Sequence, residues 1–471
     1  MASPAIDDPF AASPLLRRFA QATRADLEAY QLRKVQALCE RLYANSAYYR
    51  ARMDAGGLQG GVVDSLDRFS KAFASSAKAD FLEDQQAAPP FGTRLGVDRA
   101  DVVHISMTSG TSGQGQEIYG RTQRDVHMLG YLHALPWFMA GLRQGDTAIN
   151  CVPAGGMTTG GWGPGEAIRI LGATGFHVGG NTSTDAKIDL MLKLGGLRFI
   201  YASTNYLHTL TEALLARGIT PREAFPGMHG LFIAAEGYPL EWAAKIEEHW
   251  GCRLQEGYGS TQLNGFGGST ASAGVFRSGS ASGGERGLIR LFEWEHLVEI
   301  VDPATGLPVK PGEQGEMVVT NLSVEGSPVV RFRTGDAARF VPWQECGGGA
   351  WNAIECGTIG RFDDMMKIRG NNVWPTMFDA AVFAHPEVGE YKGRVYTRDG
   401  KTEVEVKIAV ADHQTGLSAD ERKRLLQSVR NAIKERSNMW VDVCEVPRAE
   451  FQGFAYKARR WTDERQDGYR L

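Results

Sequence analysis

The chain reads as an α/β protein: a large N-terminal domain made of α/β subdomains and an antiparallel β subdomain, followed by a small C-terminal α+β domain. Three observations predict this. Strand and helix patterns alternate from about Asp101, the texture turns to hairpins after about residue 290, and a compact α/β pattern fills roughly the last hundred residues.

Taken in order, Leu27, Val35, Leu38 and Leu42 recur at helical intervals, so residues 25 to 50 should form an amphipathic helix. The apolar run Val102 to Met107 reads as a strand and Gln116 to Thr122 as a second one, with a loop of hydroxyls and glycines between them. Leu197 to Tyr201 reads as a buried strand. Leu207, Leu210 and Leu214 then mark a helix that Gly218 can end, and Leu231 to Ile233 start the next strand. Leu297 to Val301 and Met317 to Val319 flank a turn-rich segment holding Pro303, Gly306, Pro308, Pro311 and Gly312, which points to an antiparallel hairpin. Near the end, Val404, Val406, Ile408 and Val410 alternate as a strand. Ser418 and Glu421 can form a capping box before a helix with Leu425, Leu426, Val429 and Ile433 on one face. No internal repeat is visible. The polar stretch Gly360 to Asp364 is the expected boundary, giving domains over 1–361 and 362–471.

With 471 residues, 43% of them apolar and 23% charged, the chain can bury a substantial core. A net charge of −4 without a basic tract argues against nucleic acid or an anionic membrane surface as the main partner. Met1 to Asp8 lacks the basic start and apolar core of a signal peptide, and no apolar run is long enough to cross a bilayer, so a cytoplasmic location is expected. Six scattered cysteines read as reduced thiols. Cys346 and Cys356 lack the spacing and neighbouring His of a zinc site.

The loop Thr108-Ser-Gly-Thr-Ser-Gly-Gln-Gly115 can wrap a polyphosphate, because glycines allow close approach and hydroxyls donate to phosphate oxygens. It is not a P-loop, since no Lys-Ser or Lys-Thr pair closes it. Alone, such a cluster is most often a flexible turn. Four further segments follow: Glu256-Gly-Tyr-Gly-Ser-Thr-Gln262, Arg331-Phe-Arg-Thr-Gly-Asp336, Gly360 to Gly370 beginning Gly-Arg-Phe-Asp, and Gly453 to Arg459 with its Lys457. As an ordered set they closely resemble the adenylate-forming superfamily, and within it the phenylacetate-CoA ligase-like branch. Ala47 to Arg52, Gly155 to Gly175 and Ile300 to Gly306 extend the likeness nearly end to end.

The resemblance implies a chemistry and a set of roles. The family joins a carboxylic acid to the α-phosphate of ATP and usually passes the acyl group to a thiol such as CoA. Thr108, Ser109, Gly110, Thr111, Ser112 and Gly113 would hold the β- and γ-phosphates. Tyr258 would stack on adenine, with Gly257 and Gly259 leaving room for the ring. Glu236, Ser260, Gln262 and Lys367 would complete the nucleotide set, and Thr261 would approach the α-phosphate as a catalytic residue. Asp336 would accept hydrogen bonds from both ribose hydroxyls, and Arg361 would add a donor. Lys457, on a mobile C-terminal domain, would bridge the carboxylate and the α-phosphate as negative charge builds. Asp363 would be the hinge. Trp162, Tyr206, Ala235 and Phe266 would line the acyl pocket. With Trp137 and Tyr238 nearby in such segments they favour a flat aromatic acid, although aromatics on α/β elements are usually core. A homodimer is expected.

Two departures alter charge around the triphosphate. Gln114 stands where relatives commonly carry Lys, and Gln262 where they carry a Glu that ligates magnesium. Mg2+ would then be held more by phosphates and water, and no protein metal ligand is assigned. Tyr456 replaces a glycine that often precedes the catalytic lysine, and Gly267 to Gly284 holds neither Cys nor His, against a zinc cluster. Two rival readings stay open. One is an adenylating tailoring enzyme that passes the activated group to an amine, or activates a non-carboxylate oxyanion; the other is a weakened, regulatory nucleotide-binding protein.

Overall fold

The structure is a computed structural model that describes residues 21–108, 115–153, 157–178, 182–234, 237–270, 273–277, 284–362, 366–368, 371–398, 401–411, 414, 416–437, 439–451 and 460–465. The first long helix, Arg24–Asn45, is closed at its start by a Thr23/Asp26 capping box and buries Leu27, Val35, Leu38 and Leu42, the residues spaced for it. Its apolar face joins Tyr49, Met53, Phe69 and Phe73 from the next helices in a cluster that includes Leu297, Leu322 and Val330. The N-terminal helices therefore pack onto the later, antiparallel part of the chain.

Strands β1 (His104–Met107) and β2 (Ile118–Arg121) form an antiparallel hairpin in which Met107 faces Ile118. The loop predicted between two strands thus hangs from a hairpin stem. Next come β3 (Thr147–Asn150), β4 (Thr174–His177), β5 (Leu197–Ser203), β6 (Gly230–Ala234) and β7 (Arg253–Ser260), separated by helices and ordered β4-β3-β5-β6-β7 with every pairing parallel. All five residues of β6 are buried, as expected of a strand covered on both faces.

The sheet then continues antiparallel. β8 (Gly265–Thr270) pairs with β7 and with β9 (Leu288–Leu291). β10 (His296–Val301), β11 (Gln314–Asn321), β12 (Phe332–Val341) and β13 (Ala353–Glu355) complete the path β9-β13-β12-β11-β10, and β14 (Gly360–Arg361) pairs with β12. Among the described residues this makes one 12-stranded sheet rather than two separate ones.

The final unit has its own core, including Phe378, Tyr391, Val406, Ile408, Val429 and Ile433. Beyond the short hairpin of β15 (Met366–Ile368) and β16 (Asn371–Val373), its sheet is built on the β17 (Val388–Arg398) and β18 (Lys401–Val410) hairpin. β19 (Asp442–Glu445) runs parallel to β18 and β20 (Trp461–Asp463) parallel to β17. The helix Ala419–Ser437 buries Leu425, Val429 and Ile433 and starts at the Ser418/Glu421 box. His208 Nε2 donates to Gly389 O at 2.9 Å and Arg436 lies 3.5 Å from Glu241, so this unit rests on the helices Thr204–Ala216 and Leu240–Trp250. All six cysteines are free, and no described helix is long and apolar enough to cross a membrane.

Candidate active site

β7 carries Glu256 to Ser260, and its pairing with β8 slips between Tyr258 and Gly259. Such a slip changes which way the next side chains point. The glycines either side of Tyr258 answer to packing inside the sheet. A Cβ on Gly257 would sit 2.7 Å from ring atoms of Phe232 and Phe266, and one on Gly259 would sit 2.6 Å from Gly265 O. Ring atoms crowd the first glycine and the backbone of β8 the second, so neither position has room for a side chain.

The Tyr258 hydroxyl donates to Asp336 Oδ2 at 2.9 Å. Asp336, on β12, stands opposite Arg361 of β14, and Arg361 Nη1 donates to Asp336 Oδ1 at 3.0 Å and to Thr334 O at 2.9 Å. Burial raises the Tyr258 phenol well above its ordinary range and the neighbouring Asp336 charge raises it further, so the hydroxyl stays a donor. Three residues read from separate motifs thus share one carboxylate.

A second meeting point lies where the hairpin stem touches the turn after β7. Thr108 N donates to Glu117 O at 3.1 Å, and Glu117 N donates to Thr108 Oγ1 at 3.0 Å, so the Thr108 side chain braces the stem. The Glu117 carboxylate, on a residue only 1% exposed, receives the Gln262 amide at 3.1 and 3.3 Å and the Tyr119 hydroxyl at 2.8 Å; Lys78 Nζ lies 3.9 Å away. Buried Thr261 gives its carbonyl to Arg121 Nη2 at 2.5 Å. Asn264, at φ 58°, closes this turn in the left-handed region that Asn tolerates. Glu117 is the site residue that sequence reasoning missed. Its one signal was an acidic side chain beside Ile118 and Tyr119 in an otherwise apolar strand pattern.

Glu256 precedes the tyrosine and is fully enclosed. Burial pushes its carboxyl up to about 7, against the opposing effect of hydrogen bonds from the Tyr238 hydroxyl at 2.5 Å and Gly357 N at 2.9 Å. From its ordinary 4.5 up to about 7 the folded protein holds a proton the unfolded chain has released, so stability falls as pH rises through that window and is flat above it. Glu256→Gln, permanently neutral, should match the native protein at pH 5 and exceed it at pH 8 by on the order of 3 kcal/mol. Urea unfolding of both proteins between pH 5 and 8 checks this; parallel curves would show a carboxylate that is ionised throughout.

The other expected site residues are scattered. Ser260 Oγ accepts from Leu263 N at 3.3 Å, and Lys367 lies on β15 opposite Asn372. Phe266 is 2% exposed and packs against His133, Tyr201 and Phe232 in an aromatic core that also holds Trp137. Tyr238 is buried beneath Glu256. Trp162 is 47% exposed, edge-on to His104 at 4.9 Å; half-buried Tyr206 lies under the Lys187 ammonium at 4.3 Å. Ser109 to Gly113, Gln114, Ala235, Glu236, Asp363, Tyr456 and Lys457 lie outside the described residues.

Residues 370–465 match the AMP-binding enzyme C-terminal domain family. In sequence the chain is 29% identical over 390 residues to the phenylacetate-coenzyme A ligase of Thermus thermophilus, spanning 83% of this chain and 82% of that one. It is 27% identical over 433 residues to the phenylacetate-coenzyme A ligase of Escherichia coli, spanning 90% and 93%. In fold it is similar to 2-hydroxyisobutyryl-CoA ligase in its postadenylation state with 2-HIB-AMP, with a TM-score of 0.85 at 21% identity and coverage of 98% and 94%. Over most of its length the chain is thus similar to enzymes that ligate an acid to coenzyme A, and its C-terminal part matches a domain of AMP-binding enzymes. The sequence relatives named here are both phenylacetate-coenzyme A ligases.

Proposed function

We propose that the protein is an ATP-dependent, AMP-forming ligase that activates a carboxylic acid as its acyl-adenylate and passes the acyl group to CoA. The observation that carries this reading is the sharing of Asp336 between Tyr258 and Arg361, residues of three separate motifs. In the first step a carboxylate oxygen bonds to the α-phosphorus and pyrophosphate leaves. In the second the CoA thiol loses its proton, its sulfur bonds to the acyl carbon, and AMP leaves. Asp336 takes the ribose hydroxyls with Arg361 alongside, Tyr258 flanks the adenine, the Thr108 to Gly113 loop holds the terminal phosphates, and Lys457 neutralises charge at the reacting oxygens. An aromatic acid is favoured by the names of the relatives, since most of the expected pocket aromatics are core.

Magnesium, which counters phosphate charge in such reactions, takes oxygen ligands. Gln262 suits it: with Nε2 committed to Glu117, its Oε1 meets no donor among the described residues. We extend the reading to domains at 1–361 and 362–471 turning about Asp363, a homodimer and a cytoplasmic location.

The test incubates the protein with ATP, Mg2+ and a panel of aromatic and aliphatic acids, with and without CoA, and follows AMP and thioester by mass spectrometry. Acid-dependent AMP with thioester supports the proposal. AMP that appears only with an amine acceptor favours the tailoring reading, and nucleotide binding without turnover the regulatory one.

A further inference from the structure

Gln262 occupies the place of a metal-binding carboxylate, yet the charge has not left the neighbourhood. A carboxylate, Glu117, stands directly behind the amide, on a residue 1% exposed, and it enters from the residue just before β2, 145 positions away in sequence. A carboxylate can accept from an amide only through the amide nitrogen. Both Glu117 oxygens face Gln262 Nε2, at 3.3 and 3.1 Å, which settles which end of the amide points inward and turns Oε1 away. Glu117 is itself fixed: Tyr119 donates to it at 2.8 Å, Lys78 stands at 3.9 Å, and its backbone is bonded to Thr108 in both directions. Turning the amide over would place a carbonyl oxygen against a buried carboxylate. That arrangement has no hydrogen bond and adds repulsion.

We propose that Glu117 is the positioning residue for the nucleotide-bound magnesium: it locks Gln262 so that Oε1 faces the phosphates, and it supplies from behind the amide the negative charge that a glutamate at 262 would carry itself. The inference rests on the reading of this site as an ATP site. Outer partners of metal ligands work in this way, by orienting the ligand and tuning its basicity, and their loss typically costs about 10- to 100-fold in metal affinity or activity.

The test is an exchange of the two side chains. Glu117→Gln, Gln262→Glu and the double variant E117Q/Q262E are compared with the native protein in two measurements. One is the Mg2+ dependence of acid-driven pyrophosphate release. The other, independent of turnover, is binding of Mn2+ in the presence of ATP, followed by loss of the free-Mn2+ paramagnetic resonance signal. Glu117→Gln should raise the Mg2+ concentration for half-maximal rate and weaken Mn2+ binding by about tenfold or more, with kcat at saturating metal changed far less. Gln262→Glu, which sets two carboxylates face to face, should be impaired as well, and the double variant should recover to within about threefold of native. Thermal melts of all four proteins separate misfolding from a metal effect, because recovery in the double variant cannot come from a destabilised fold. A double variant no better than the worse single one, or unchanged metal dependence in Glu117→Gln, overturns the inference. A native protein that fails to bind ATP overturns the ATP reading and takes this inference with it.

Discussion

Asp336→Ala is expected to weaken ATP and AMP binding by about 10²- to 10³-fold, read by calorimetric titration, while the fold survives. An ionised carboxylate accepting two ribose hydroxyls makes two charge-assisted bonds of about 1.5 to 2 kcal/mol each, and each 1.4 kcal/mol is tenfold. Its oxygens already accept from Tyr258 and Arg361, but a carboxylate offers roughly four acceptor positions, so two ribose donors can be added without displacing either. The cost to the free protein is smaller. Arg361 is 42% exposed at its side chain and can turn to water, which leaves the Tyr258 hydroxyl as the group that loses its listener in the interior. Tyr258→Phe provides the contrast: it keeps the ring, removes the hydroxyl's bond to Asp336 and its contact with Thr334, and should cost about tenfold or less. AMP affinity within twofold of native in Asp336→Ala would remove the carboxylate from the ribose and with it the central support for a nucleotide here.

The local architecture was legible because each element announces itself over a few residues. The spacing of Leu27, Val35, Leu38 and Leu42 gave the first helix. The alternation of Val404, Val406, Ile408 and Val410 gave a strand of the last unit, and the Ser418/Glu421 box gave the start of its helix. What single-sequence patterns cannot carry is pairing between distant strands. Residues 336 and 361 become neighbours only because β14 lies against β12, and the α/β and antiparallel parts form one sheet only through β7 to β8 and β12 to β13. Glu117 was invisible for the same reason: its meaning depends on a residue in another turn of the chain. The aromatics carry little information of either kind. Trp137, Tyr238 and Phe266 sit in family segments associated with a pocket, yet each is buried against other side chains, since a large ring on a two-sided sheet is the ordinary way to fill a core. Gly257 and Gly259 are crowded by Phe232, Phe266 and the backbone of β8, a constraint that no spacing in the sequence reveals.

Lys457→Ala and Arg460→Leu should fail in different ways, although the two residues are three apart. Arg460 anchors the chain where it joins β20. Its backbone carbonyl accepts from Gly393 N at 2.8 Å, and its guanidinium, 12% exposed, grips Glu390 through two bonds at 2.7 and 3.2 Å, with Asp379 3.9 Å away. Asp379 in turn accepts from the Tyr391 hydroxyl, which receives the Trp461 indole. Removing the only guanidinium in this set leaves two enclosed carboxylates facing each other, so Arg460→Leu should cost about 3 to 5 kcal/mol and lower the melting temperature. Lys457 is assigned a charge to deliver rather than a contact to keep. Lys457→Ala should therefore melt within a degree or two of native and bind AMP normally, while the rate of acid-dependent pyrophosphate release falls by about 10²- to 10³-fold, the range seen when a single electrostatic donor is removed from a reacting oxyanion. Melting curves and pyrophosphate release on the two variants give four results, of which one combination decides the assignment. If Lys457→Ala releases pyrophosphate at the native rate, the reacting charge is met by another group, and the C-terminal unit has a part in the reaction other than carrying its lysine.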